Sequence, residues 1–151
     1  MKMKTELADI CEIGEIAELD CHIPRERLEE CIRNGQVYVL KDNFAETDYA
    51  KGSSGFVAGI LRYSLFWQTI PFLDLIYLAQ DVRGHGFGTE MIRLWENDMK
   101  KLGYDYVMTS TQADETAWKF YEKLGYVRVG GFFPPEQEAE EVVYVRNLKT
   151  E

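Results

Sequence analysis

Six consecutive residues, Arg83-Gly84-His85-Gly86-Phe87-Gly88, carry the clearest chemical signal in the chain. Glycines let a backbone turn tightly and come close to a ligand. Downstream, Phe87, Met91, Leu94, Trp95, Met99 and Leu102 recur at helical spacing. The turn therefore feeds a helix N-terminus, where free N–H donors and the positive end of the dipole make a cradle for a pyrophosphate, or it is a strand-to-helix turn without a ligand. Arg83 adds a charge-assisted contact, and His85 falls on the phosphate side of the cradle. The glycines read Gly-x-Gly-x-Gly, and no Gly-Lys-Ser/Thr follows. That is neither a dinucleotide fingerprint nor a P-loop, which argues against a domain built for NAD or ATP.

Asp74 interrupts an otherwise apolar run of Phe72, Leu73, Leu75, Ile76, Tyr77 and Leu78. A carboxylate there needs a raised pKa or a specific partner. It serves proton transfer or substrate binding, or it lies on a polar sheet edge. Phe66 and Trp67 close the preceding strand, as an aromatic wall able to hold a cation or as core packing. Glu136, Glu138, Glu140 and Glu141 form an acidic loop that attracts an amine or is simply solvated. Cys11, Cys21 and Cys31 show no CxxC pair and no zinc spacing with His22 or His85, so no metal is expected. Unclustered thiols suit a reducing, cytoplasmic compartment and read as small apolar or half-buried helix residues.

The elements that must position these groups follow from periodicity. A short strand is expected at Met1–Thr5, then a helix over Leu7–Leu19 and a second over Arg25–Arg33 behind Pro24. Strands are expected at Val37–Leu40, Phe56–Trp67 and Pro71–Ala79, with a polar loop at Asp42–Ser54. The continuous apolar run of the third suits a central strand covered on both faces. The helix after the glycine turn ends at Leu102-Gly103; a strand at Tyr106–Thr111, a helix opening at Asp114, and strands at Tyr126–Phe133 and Glu141–Leu148 complete the chain. The expected fold class is α/β: one domain with a mixed, mostly antiparallel sheet of six to seven strands flanked by about four helices.

The segment Phe72–Val129 resembles the GCN5-related N-acetyltransferase (GNAT) family. That family's pyrophosphate signature, Gln/Arg-x-x-Gly-x-Gly/Ala, is met by Arg83, Gly86 and Gly88. Its later helix motif is met by Ala117, Phe120, Tyr121, Lys123, Leu124 and Gly125, with Tyr126 as the final aromatic. The resemblance implies a GNAT-like fold and acetyl-CoA as co-substrate, its pyrophosphate on Arg83–Gly88 and its pantetheine arm along Ile76, Tyr77 and Leu78. The N–H of Leu78 would stabilise the developing oxyanion. Tyr121 is implied as the general acid toward the leaving thiolate, facing the cleft while Phe120 faces the core. Asp74 stands where the family often has a glutamate base. The family's cofactor-contacting Asn is Asp114 here; it keeps an oxygen for helix capping but brings charge and no N–H.

The implied activity is transfer of an acetyl group to a primary amine by direct attack in a ternary complex. The rival is a non-catalytic sensor or regulatory module that binds CoA or acyl-CoA. The acceptor is open, from small amines to peptide N-termini and lysines. With 151 residues and 46% hydrophobic content, one ordinary core is affordable. A net charge of −9 argues against nucleic-acid partners and fits a cationic substrate or simple solubility. No membrane-length apolar stretch and no secretion leader are read, and a homodimer through edge strands is compatible with the pattern.

Overall fold

The fold comes from a computed structural model, which describes residues 2–42 and 56–149. Among the described residues seven strands and four α-helices follow one another as β1 (Met3–Leu7), α1 (Ile13–Leu19), α2 (Arg25–Arg33), β2 (Val37–Asp42), β3 (Val57–Phe66), β4 (Ile70–Leu78), α3 (Phe87–Lys101), β5 (Tyr106–Gln112), α4 (Ala117–Lys123), β6 (Val127–Phe132) and β7 (Glu141–Asn147). Strand neighbours run β1-β2-β3-β4-β5-β7-β6 in one sheet. β1–β2, β2–β3, β5–β7 and β6–β7 pair antiparallel, and β4–β5 pairs parallel. This is the mixed, mostly antiparallel sheet that the alternation of elements predicts. Apart from Asp42, which ends β2, the expected Asp42–Ser54 loop lies outside the described residues. Among the described residues no helix is long and apolar enough to cross a membrane.

The chain divides into two compact units. The first comprises Met1–Tyr63 and Leu75–Leu94. Its core joins Ile16, Leu28 and Ile32 to Val37, Val39, Val57 and Ile60. Burial is continuous from Val57 to Tyr63, so β3 is the strand covered on both faces. β4 is not: Asp74 and Tyr77 are exposed, which corrects the reading of its apolar run. The first helix also starts later than its periodicity predicts. Leu7 ends β1, and Asp9 accepts from the Cys11 amide while its own amide donates to Glu12, a reciprocal cap that opens a 3-10 turn at Ile10–Glu12 ahead of α1. Buried charges are paired, Asp20 Oδ2 with Arg62 Nε at 2.6 Å and Glu12 Oε2 with Lys41 Nζ at 2.6 Å.

The second unit comprises Ser64–Asp74 and Trp95–Glu151. Val142, Tyr144 and Arg146 alternate inward along β7, and Trp95 and Met99 are fully buried. Leu102, expected on that apolar face, is 68% exposed because α3 stops at Lys101 and Gly103 turns the chain away. At the centre of this unit lies the buried carboxylate of Glu96. Tyr126 donates its hydroxyl to Oε2 at 2.7 Å and Arg146 Nη1 donates to Oε1 at 3.2 Å. Arg146 Nε also donates to the Leu124 carbonyl at the end of α4, at 3.0 Å. Removing one partner of such a pair strands a buried charge. Arg146→Ala should therefore lower the unfolding free energy by about 3–5 kcal/mol, read from urea denaturation.

Candidate active site

In the first unit, a short 3-10 turn at Gln80–Val82 carries β4 into the glycine turn. Gly84 and Gly86 have φ of 78° and 86°, a left-handed region that L side chains adopt at a cost. A Cβ at either would meet nothing within 4 Å, so backbone conformation alone requires glycine there. The Glu90 amide donates to the Gly86 carbonyl at 3.1 Å and so opens α3. The amides of Phe87, Gly88 and Thr89 are therefore those a helix start leaves for a ligand. Arg83 Nε donates to the Leu78 carbonyl at 2.8 Å, and its guanidinium carbon lies 5.3 Å from the centre of the Tyr77 ring. Of the predicted cofactor residues, Arg83 is thus brought against Tyr77 and Leu78. His85 is exposed, its ring 5.9 Å from that of Phe87.

Gly59 completes this arrangement and was not singled out from sequence. A Cβ there would lie 2.6 Å from Leu78 Cδ2 and 3.1 Å from the Tyr77 carbonyl oxygen. A glycine inside an apolar strand run is the signal for such a close approach.

In the second unit, β4 and β5 pair over Phe72↔Met108 and Leu73↔Thr109, ending just before Asp74 and Ser110. Successive strand residues face opposite sides. Phe72, Asp74 and Met108 share one side with Phe66, Trp67 and Phe132, and together these line a pocket of about 510 Å³. Trp67 is 79% and Phe66 39% exposed, which overturns core packing for both. Its ring centre is 4.9 Å from that of Phe66, which is 6.0 Å from that of Phe72.

Leu73 and Thr109 face the other side. The Thr109 hydroxyl donates to the Leu73 carbonyl at 3.0 Å and lies beside the Tyr121 phenol. Tyr121 is buried and packs edge-on against Tyr126, with ring centres 5.6 Å apart, whereas Phe120 is half-buried. Phe120, expected in the core, is therefore the less deeply buried of the two.

Two other expectations change. Asp114 sits exposed in the turn ahead of α4, and the residue at the helix cap is Thr116, so capping by Asp114 does not hold. In the acidic loop, Glu141 accepts from the Ser110 hydroxyl at 2.6 Å and Glu140 pairs with Arg128 at 3.0 Å, while Glu136 and Glu138 are exposed. Cys11 and Cys21 are exposed and Cys31 is half-buried, so the half-buried reading holds for Cys31 alone. His22 is exposed, its Nδ1 3.3 Å from Asp20 Oδ1. Among the described residues no group of three or more His, Cys, Asp or Glu side chains is placed to hold a metal ion.

The family model described as the acetyltransferase (GNAT) family matches residues 9–126. The chain belongs to that family. Solved structures agree on the fold. One chain of the NatC complex bound to Gag peptide and CoA superposes with a TM-score of 0.78 at 16% identity, covering 97% of this chain and 99% of its own. A GNAT acetyltransferase from Bacillus cereus ATCC 10987 gives 0.74 at 18% identity, with 97% and 98% covered. The yncA protein from Salmonella typhimurium, solved with its cofactor acetyl-CoA, gives 0.75 at 14% identity, with 98% and 95% covered. No curated protein matches the chain.

Burial pushes the Tyr121 phenol above its ordinary pKa, with the Thr109 hydroxyl acting in the opposite direction. Burial, and then the Glu96 charge, push Tyr126 far up as well. A group whose folded pKa exceeds its unfolded value stabilises the fold below the unfolded value and loses that contribution as pH rises through the folded one. Both phenols start from about 10 when unfolded. The urea midpoint should therefore fall above about pH 10, and fall less steeply in Tyr126→Phe.

Proposed function

We propose that this GNAT protein is an acetyl-CoA-dependent N-acetyltransferase that acetylates a primary amine by direct attack in a ternary complex. One observation carries the reading. The parallel β4–β5 pairing stops at Leu73 and Thr109, with Asp74 on one side of the sheet and Tyr121 on the other. A carboxylate and a phenol thus flank the end of one pairing, one for the proton that the amine loses and one for the proton that the thiolate gains.

The residues present fit the co-substrate. The amides of Phe87, Gly88 and Thr89 and the Arg83 guanidinium offer donors to a pyrophosphate, and the two left-handed glycines let the backbone come close. Bound there, acetyl-CoA supplies an activated thioester. The Leu78 N–H is assigned to the carbonyl oxygen, where negative charge develops on attack. Asp74 takes the proton that the ammonium must lose, directly or through a water. Tyr121, kept neutral by burial, delivers a proton to the departing thiolate. Asp114 remains the residue at the position of the family's cofactor-contacting Asn. The exposed thiols of Cys11 and Cys21 support a reducing, cytoplasmic setting.

Thiol release from acetyl-CoA, followed over a panel of primary amines, tests this reading. Tyr121→Phe should lower kcat about 10²-fold with little change in acetyl-CoA affinity. Acetyl-CoA binding to the wild type with no thiol release from any amine would favour a CoA sensor instead. Gly86→Ala forces an L side chain into the left-handed region, which costs about 1–2 kcal/mol. Acetyl-CoA should then bind roughly 5- to 30-fold more weakly by calorimetry.

A further inference from the structure

The pocket beside Asp74 has a chemistry of its own. Among its described lining residues Asp74 is the one ionisable group, and Phe66, Trp67, Phe72, Met108 and Phe132 supply most of the rest. Its volume, about 510 Å³, lies in the range of sites that enclose small organic molecules. Trp67, Phe66 and Phe72 form a row of rings with centres 4.9 and 6.0 Å apart. Asp74 follows Phe72 by two residues on the same side of β4, roughly 7 Å along the strand. One end of the pocket therefore carries a carboxyl group and the other is aromatic.

The aromatic end is built at a conformational cost. Trp67 and Gln68 are the central residues of the turn between β3 and β4, closed by the Thr69 amide donating to the Phe66 carbonyl at 3.0 Å. Both have positive φ, 55° and 63°, which is a type I′ turn. Such turns strongly favour Asn-Gly. A bulky indole held in that conformation while 79% exposed gains little from the protein's own core. Non-glycine residues in this region cluster at ligand clamps, where strain is retained for function.

Resting on the acetyltransferase reading above, we infer that the acceptor is a primary amine with a single positive charge and one apolar, preferably aromatic, substituent. The ammonium meets Asp74 and the substituent stacks along Phe66 and Trp67, which makes Trp67 the specificity-determining residue. A polyamine would carry further ammonium groups into a pocket with no second carboxylate among its described lining residues. A small polar amine would leave the ring row unfilled.

The test compares kcat/KM at saturating acetyl-CoA for 2-phenylethylamine, ethanolamine, spermidine and a short peptide with a free N-terminus. 2-Phenylethylamine should exceed each of the others by about tenfold or more, with the difference from ethanolamine carried by KM, since filling an apolar pocket is worth that much. Trp67→Ala should bring the ratio to ethanolamine within about threefold by raising the 2-phenylethylamine KM, and Trp67→Phe should restore most of it. Equal or better turnover of spermidine, ethanolamine or the peptide would overturn the inference and leave the acetyltransferase reading standing. Calorimetric binding of 2-phenylethylamine separates the two failures. Binding that Trp67→Ala weakens, in a protein that acetylates nothing, would support the pocket assignment and count against the transferase. Absence of binding together with absence of turnover would overturn both.

Discussion

A buried carboxylate holds the second unit in register. Glu96, on α3, is satisfied by the Tyr126 hydroxyl and by Arg146 from β7. Arg146 also ties down the Leu124 carbonyl where α4 ends. A buried charge tolerates little slack, since any loosening leaves it unpaired in a medium of low dielectric. The cluster therefore fixes the last turn of α4 against β7. Tyr121 lies on that helix and packs edge-on against Tyr126. The position of the phenol that Thr109 meets is thus a consequence of an ion pair with no chemical role of its own.

The second constraint is the shortness of the β4–β5 pairing. Parallel strands that part after Leu73 and Thr109 leave Asp74 and Ser110 outside the ladder. Strand alternation then sorts the nearby residues by side, giving a pocket on the face of Asp74 and a buried phenol on the face of Thr109. The same physics that sets which residues are core sets which groups face the pocket. In the first unit the corresponding constraint is backbone conformation, two left-handed glycines followed by a helix start. A helix start of this kind suits a phosphate by geometry more than by charge.

Much of this was legible from residue order. The glycine turn, the helix it feeds and the alternation of β7 are local patterns, and local patterns are what periodicity reports. The placement of Asp74, Phe66 and Trp67 around one pocket also follows from their strands, once β3 and β4 are joined by a tight turn. What was not legible depends on contacts made at a distance. The first helix was read from Leu7 because its apolar spacing continues into β1, while the reciprocal cap at Asp9 decides otherwise. Helical geometry separates Tyr121 from Phe120, the one toward the cleft and the other toward the core, without saying which one β5 covers. Asp114 suits a helix cap by residue type, but α4 begins after Thr116, whose side chain makes no capping hydrogen bond. The left-handed Trp67-Gln68 turn ran against residue preference and left no sequence signal.

The central claim is that acetyl passes directly from the thioester to an amine, with no acyl-enzyme between them. Mass spectrometry of the intact protein and of the amine in one single-turnover reaction tests it most directly. Acetyl-CoA labelled in the acetyl group, mixed with protein alone, should leave the protein mass unchanged. Addition of an accepted amine should then place one labelled acetyl group on that amine. A protein that gains the label before the amine is added, and loses it afterwards, would contradict the account.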